Sequence, residues 1–257
     1  MATFLFNDII FGPVKSRRLG VSLGVNLLPT DNKVCNFNCI YCECGWNKKG
    51  PKQDLPSSSV VLELLEQRLI NMATEGTMPD VITFAGNGEP TVHPEFPLII
   101  EGTLSLRDRY CPNAKVAVLT NATMLHSQPV LNALLKIDRA ILKLDSAIES
   151  TREKINLPAK HIPFDRLINQ FSFFGDKLVI QTLFLKATFE DSEIDNTTIE
   201  ELNALLAVYK KLSPSEIMIY CVDRDTPLQT VFKISAERMD EISQMITSLG
   251  LHVTVSY

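Results

Sequence analysis

Four of the chain's six cysteines fall within ten positions, in the segment VCNFNCIYCECGW (34–46). Their spacing is Cys35-x3-Cys39-x2-Cys42-x-Cys44. Thiols crowded in this way can hold a metal, close a disulfide, act as a redox pair, or pack as small buried residues. Composition bears on the choice. Hydrophobic residues make up 45% of the 257-residue chain and charged residues 21%, the ordinary range for a soluble globular protein. No apolar run approaches the length needed to cross a bilayer, so no membrane partner is expected. The opening MATFLFNDIIFG lacks the basic start, long apolar core and small-residue cleavage site of a signal peptide. A cytoplasmic location is therefore expected. Thiols stay reduced there, which puts a metal or redox role ahead of a disulfide framework. Cys111 and Cys221 stand alone and read as buried small hydrophobes.

Zinc is the first metal to consider. Structural zinc sites usually pair two short cysteine hairpins across a longer segment. No second hairpin follows here, and His93 and His126 have no partner at ligand spacing. A zinc-binding scaffold without turnover remains the reading from a different functional class. An iron–sulfur centre suits soft thiolate ligands better. A four-iron cluster needs four ligands for saturation. Three close cysteines would leave one iron open to a substrate or cofactor, by the logic that separates catalytic from structural metal sites.

The elements that must position these thiols can be read from hydrophobic period. A serine run opens a helix over 57–75, with Val61, Leu64, Leu65, Leu69 and Met72 at helical spacing and Gly76 as the stop. GVSLGVNLL (20–28) reads as an early strand. Further strands start at 81, 115, 139, 177 and 216, and LHVTVSY closes the chain as another. Helices are expected at about 94–109, 127–136, 163–174, 197–211 and 235–248. Strand and helix alternate strictly, and several strands are apolar throughout, as in a parallel sheet covered by helices. About six βα units follow an N-terminal extension, fewer than the eight of a closed TIM barrel. No domain boundary is visible, so residues 1–257 read as one domain. NKKGPKQDLPSSS (47–59) reads as a mobile loop.

Parallel α/β folds bind ligands at the carboxyl ends of their strands. The polar residues there are Asn87, Gly88 and Glu89, then Asn121, Asp145, Gln181 or Thr182, and Asp223 with Arg224. Together with the cysteines they are expected to face one mouth. The net charge of −5 disfavours broad nucleic-acid binding. Lys15, Arg17 and Arg18, and Lys48, Lys49 and Lys52, form two local basic clusters that could meet phosphates.

Cys35-Asn36-Phe37-Asn38-Cys39-Ile40-Tyr41-Cys42 resembles the CxxxCxΦC motif of the radical S-adenosylmethionine (SAM) superfamily. Gly86-Asn87-Gly88-Glu89-Pro90 resembles that family's GGEP motif, departing from it where Asn87 replaces the first glycine of the pair. The likeness runs from about residue 10 to 222. GPVKSRRLGVSLGVNLLP and TFAGNGEPTVHPEF narrow it to a subgroup related to wyosine-type tRNA-modifying enzymes. The resemblance implies an incomplete (β/α)6 TIM-like barrel. It implies a [4Fe–4S] cluster on Cys35, Cys39 and Cys42, with SAM chelating the fourth iron. It implies that the reduced cluster cleaves SAM to a 5′-deoxyadenosyl radical, which takes a hydrogen atom from substrate. It places Tyr41 near the adenine, Asn87, Gly88 and Glu89 near the SAM amine, Asn121 near the carboxylate and ribose, and Asp145 on the ribose hydroxyls. Gln181 and Ser146 are further candidates. An electron donor such as flavodoxin or ferredoxin is implied. The substrate is a nucleic acid, if the subgroup holds, or a protein or peptide partner activated by radical chemistry. The motif has no use for Cys44, which could be a bystander, a substitute ligand or a substrate-facing thiol.

Overall fold

The structure is a computed structural model that describes residues 4–16, 20–48 and 54–257. Arg17, Arg18, Lys49 and Lys52 of the basic clusters lie outside the described residues, as does the middle of the 47–59 loop. Two compact units are present. One comprises Leu5–Cys35 and Asn47–Ala140; the other comprises Phe4, Asn36–Trp46 and Ile141–Tyr257. The division falls inside the cysteine segment and again inside a strand.

In the first unit the elements are β1 (Ile10–Ser16), β2 (Gly20–Val25), α1 (Ser58–Glu75), β3 (Val81–Phe84), α2 (Phe96–Tyr110), β4 (Lys115–Thr120) and α3 (Gln128–Lys136). The sheet order is β1-β2-β3-β4, with β1 antiparallel to β2 and the other pairs parallel. All four residues of β3 are buried, as a strand covered on both faces must be. Helix α1 starts where Ser57 Oγ accepts the Val60 amide and stops at Gly76, whose left-handed φ of 69° suits a residue without Cβ. Val61, Leu65, Leu69 and Met72 form its buried face. Leu64, which the period placed with them, is exposed instead.

The second unit continues with β5 (Arg139–Lys143, whose first two residues belong to the first unit), α4 (Glu149–Asn156), α5 (Phe164–Phe171), β6 (Leu178–Phe184), β7 (Lys186–Phe189), β8 (Ser192–Asp195), α6 (Ile199–Leu212), β9 (Glu216–Cys221), β10 (Val231–Phe232), α7 (Ala236–Thr247) and β11 (Val253–Ser256). The sheet runs β5-β6-β9-β11, with β6, β9 and β11 parallel. Every residue of β6 is buried. A small antiparallel sheet, β10-β7-β8, stands beside this order.

Among the described residues six strand–helix pairs result: β2 with α1, β3 with α2, β4 with α3, β5 with α4 and α5, β6 with α6, and β9 with α7. This is the α/β class and the number of units expected. The sequence did not announce β1, α4 or the β7–β8 hairpin. Strand β1 carries Pro13, which a sheet edge tolerates because one side needs no amide donors. The hairpin turns on Glu190 and Asp191, both at positive φ, rather than on the Asn-Gly pair that usually marks such a turn.

Candidate metal and cofactor centre

In the first unit, the GNGEP segment leaves the end of β3 and lies against the entry to the cysteine segment. Val34 and Gly88 form an isolated parallel bridge. The Val34 amide donates to the Asn87 carbonyl (2.9 Å), and the Glu89 amide donates to the Val34 carbonyl (3.1 Å). Gly88 has φ +138°, and a Cβ there would lie 1.9 Å from the Val34 carbonyl oxygen. A Gly88→Ala variant is expected to lose about 2–4 kcal/mol of stability, combining overpacking with backbone strain, as read from urea unfolding. An unchanged midpoint would mean that the bridge beside Cys35 is dispensable.

Asn87 is fully buried, and its side chain faces its own chain. Nδ2 donates to the carbonyls of Phe6 (2.9 Å) and Pro29 (2.8 Å), and Oδ1 accepts the Phe6 amide (2.8 Å). Glu89 is also buried. Its carboxylate accepts the amides of Asn121 (2.7 Å) and Thr91 (3.1 Å) and the hydroxyls of Thr120 (2.6 Å) and Thr91. Burial is the largest influence on this carboxyl and pushes its pKa up, while the four donors act in the opposite sense. Glu89 thus ties the end of β3 to the end of β4. Asn121, at that end, is held by Thr123, whose amide and hydroxyl donate to Asn121 Oδ1 (3.1 and 2.7 Å). This fixes the amide orientation and sends Nδ2 toward Cys35 Sγ (3.7 Å).

In the second unit, residues 36–40 of the cysteine segment pair with the C-terminal end of α4. The Asn38 amide donates to the Asn156 carbonyl (2.9 Å), the Ile40 amide to Ile155 (3.0 Å) and the Ala159 amide to Asn36 (2.9 Å). Phe37 bridges Pro158, and Leu157, just before Pro158, is in the left-handed conformation. Beyond this staple the loop turns tightly: the Cys42 amide donates to Cys39 (3.1 Å) and the Gly45 amide to Cys42 (2.8 Å). Cys39 is buried, and Asn156 Nδ2 approaches its Sγ at 3.5 Å.

Asp145 sits two residues beyond β5 and is inaccessible to solvent. Its carboxylate receives Tyr41 Oη (2.6 Å), Asn156 Nδ2 (2.7 Å), the Leu183 amide (3.0 Å) and Lys143 Nζ (3.2 Å). Lys143, which the strand pattern did not single out, also contacts Tyr220 Oη (3.2 Å) and lies over the rings of Tyr41 and Tyr220. Burial disfavours its charge, but Asp145, Tyr220 and Cys39 more than offset that, so its pKa is raised and the ammonium persists. Burial, with Asp145 next, pushes the Tyr41 phenol well above its ordinary pKa, so Tyr41 stays a donor.

The remaining candidates are placed as follows. Ser146 donates to Glu201 (2.6 Å), and Thr182 donates to the Leu144 carbonyl (2.7 Å). Gln181 is buried in β6. Arg224 pairs with Glu43 of the cysteine segment (2.8 Å) and covers the Phe4 ring, while Asp223 lies 3.7 Å from Lys233. His93 uses both ring nitrogens on the backbone, Nε2 toward Pro56 and Nδ1 toward Glu95, which explains its lack of ligand partners. None of the six cysteines is disulfide-bonded; Cys111 and Cys221 are buried, and Cys44 is half-buried. Sequence reasoning missed Lys143 and Asn156. A single lysine in a strand and a single asparagine at a helix end are ordinary, and only the asparagine's place just before Leu157-Pro158 hinted at a turn.

The family model for the radical SAM superfamily matches residues 32–169, more than half of the chain, and the match contains Cys35, Cys39, Cys42 and GNGEP. The chain belongs to the radical SAM superfamily. It is 31% identical over 228 residues to a UPF0026 protein of Synechocystis sp., covering 86% of this chain and 77% of the relative, which places it among the UPF0026 proteins. It is also 30% identical over 236 residues to a protein named GTPase Obg from Brachyspira hyodysenteriae, covering 90% of this chain but only 32% of that one. The chain therefore spans about a third of that relative's length. Among solved structures, a radical SAM methyltransferase from Sphaerobacter thermophilus superposes with a TM-score of 0.68 at 15% identity, over 92% of this chain and 66% of the other. That likeness is one of fold, and it establishes the α/β architecture as the partial TIM-like type of radical SAM enzymes. No helix among the described residues is long and apolar enough to cross a membrane.

Proposed function

We propose that this radical SAM enzyme holds one [4Fe–4S] cluster on Cys35, Cys39 and Cys42, that SAM completes the cluster, and that residues 1–257 form a single radical SAM core in the cytoplasm. The observation that carries this reading is the family match over residues 32–169, which contains all three cysteines. The donor set fits such a group. Three thiols stand within eight positions, none is in a disulfide, and two have a side-chain amide directed at sulfur. When bound, the cluster and SAM together supply a 5′-deoxyadenosyl radical, which abstracts a hydrogen atom from the substrate.

The chain's own residues bind and orient. Asn121 and Tyr41 are the side chains assigned to SAM. Gly88 keeps the GNGEP backbone close to the cysteine segment, and Asn87 anchors that turn through Phe6 and Pro29. Glu89 and Asp145 already carry four intramolecular donors each, so their part is to hold Asn121 and Tyr41 in place. An electron donor such as a flavodoxin or ferredoxin supplies the electron. The wyosine-type likeness extends the reading to an RNA substrate, with the exposed Lys15 and Lys48 as phosphate contacts. tRNA affinity that falls steeply with salt supports that extension; affinity indifferent to salt favours a peptide or small molecule.

The test is reductive cleavage of SAM by anaerobically reconstituted protein with dithionite. Formation of 5′-deoxyadenosine and methionine is expected. Cluster-loaded protein that leaves SAM intact would contradict the reading.

A further inference from the structure

Two side-chain amides point at cysteine sulfur, and each is preset by other groups. Asn156 is 2% exposed. One hydrogen of its Nδ2 is directed at Asp145 Oδ2 (2.7 Å), which leaves the other for Cys39 Sγ (3.5 Å). Its backbone carbonyl accepts the Asn38 amide, so the same residue grips the cysteine segment twice. Asn121 has its amide oxygen taken by Thr123 and its backbone amide by Glu89, and its Nδ2 lies 3.7 Å from Cys35 Sγ. In one unit a buried carboxylate orients the asparagine side chain, in the other a buried carboxylate holds the asparagine backbone while Thr123 orients its side chain, and in both the asparagine donates toward a thiol. The Asn156 amide cannot swing away without stranding the buried Asp145 carboxylate, and the Asn121 amide cannot without releasing both Thr123 donors.

We propose that Asn156 and Asn121 are positioning residues that donate N–H···S hydrogen bonds to Cys39 and Cys35 and thereby raise the reduction potential of the cluster. This rests on the cluster assignment above. Hydrogen bonds to cluster sulfurs are one of the means by which a protein sets the potential. A donor aimed at a thiolate stabilises the reduced centre, which carries one more negative charge, over the oxidised one. Removing the donor therefore lowers the potential.

The test compares reconstituted wild type, Asn156→Leu and Asn121→Leu by redox titration monitored by electron paramagnetic resonance, without SAM. Each variant is expected to show a reduced-to-oxidised ratio about tenfold lower at a given potential, as for loss of a hydrogen bond to a charged group. For one electron this is ~59 mV. In wild type, resonance Raman bands of the iron–cysteine stretches are expected to shift on transfer to D2O, with a smaller shift in each variant. Asn121→Leu leaves the Asp145 network untouched, so it separates a sulfur hydrogen bond from a charge effect of Asp145. Variants that hold four irons at the wild-type potential overturn the inference. If neither variant loads iron, wild-type Raman bands insensitive to D2O overturn it, and D2O-sensitive bands support it. Wild type that binds no cluster sinks the cluster assignment instead.

Discussion

Alanine at Cys35, Cys39 or Cys42 is expected to abolish loading of a four-iron cluster, whereas alanine at Cys44 is expected to spare it. The reason is ligand count. Three thiolates already leave one position for SAM, and two leave the cluster under-held. The three are also the residues around which the polypeptide is organised. Val34, just before Cys35, is bridged to GNGEP. The residues on either side of Cys39 are hydrogen-bonded to the end of α4, and the Cys42 amide closes a turn onto the Cys39 carbonyl. Cys44 follows Glu43, whose partners are Arg224 and the Phe4 amide. Iron and acid-labile sulfide per protein, with the visible absorbance of reconstituted samples, check the expectation. Loss of iron in the Cys44 variant as complete as in the other three would make Cys44 a ligand.

Asp145→Ala is expected to have the largest effect on stability of any substitution away from the cysteines, about 3–5 kcal/mol by urea unfolding. It leaves the Lys143 ammonium without its carboxylate and strands the Tyr41 hydroxyl, the Leu183 amide and one hydrogen of Asn156 Nδ2. The Lys143 side chain retains 17% of its exposure, so water recovers part of the ion-pair loss but none of the loss at the buried amide. A double-mutant cycle separates the two. Asp145→Ala is expected to cost less in a Lys143→Met background, because no uncompensated cation remains. Equal cost in both backgrounds would mean that the Tyr41, Leu183 and Asn156 donors, not the ion pair, govern the loss.

The frame of the chain was legible in the sequence because burial on both faces leaves long apolar runs. VITF, KVAV and LVIQTLF are predominantly apolar strands, with Thr83, Lys115, Gln181 and Thr182 as their polar residues, and Gly76 ends α1 where its period lapses. The crowding of thiols was legible from spacing alone, but the close approach of Val34 that requires Gly88 was not, because the GNGEP pattern marked Gly88 only as a SAM contact. Helix α4 was not legible. ESTREKIN offers one buried apolar residue, Ile155, and its other buried positions are Arg152 and Asn156. No hydrophobic stripe can show in such a helix, because polar pairing holds its inner face. The roles of Glu89 and Asp145 were hidden for a related reason. Both stand at strand ends where a carboxylate could meet a ligand. In the folded chain Glu89 accepts from Thr120, Thr91 and Asn121, and Asp145 from Tyr41, Asn156, Lys143 and Leu183.

Metal and sulfide analysis of anaerobically purified protein, followed by electron paramagnetic resonance of the reduced sample with and without SAM, decides whether this chain carries a SAM-completed four-iron cluster. Four irons and four sulfides per chain are expected, with a reduced-cluster signal that changes when SAM is added. About one equivalent of zinc with no iron, or a four-iron signal indifferent to SAM, would contradict that expectation.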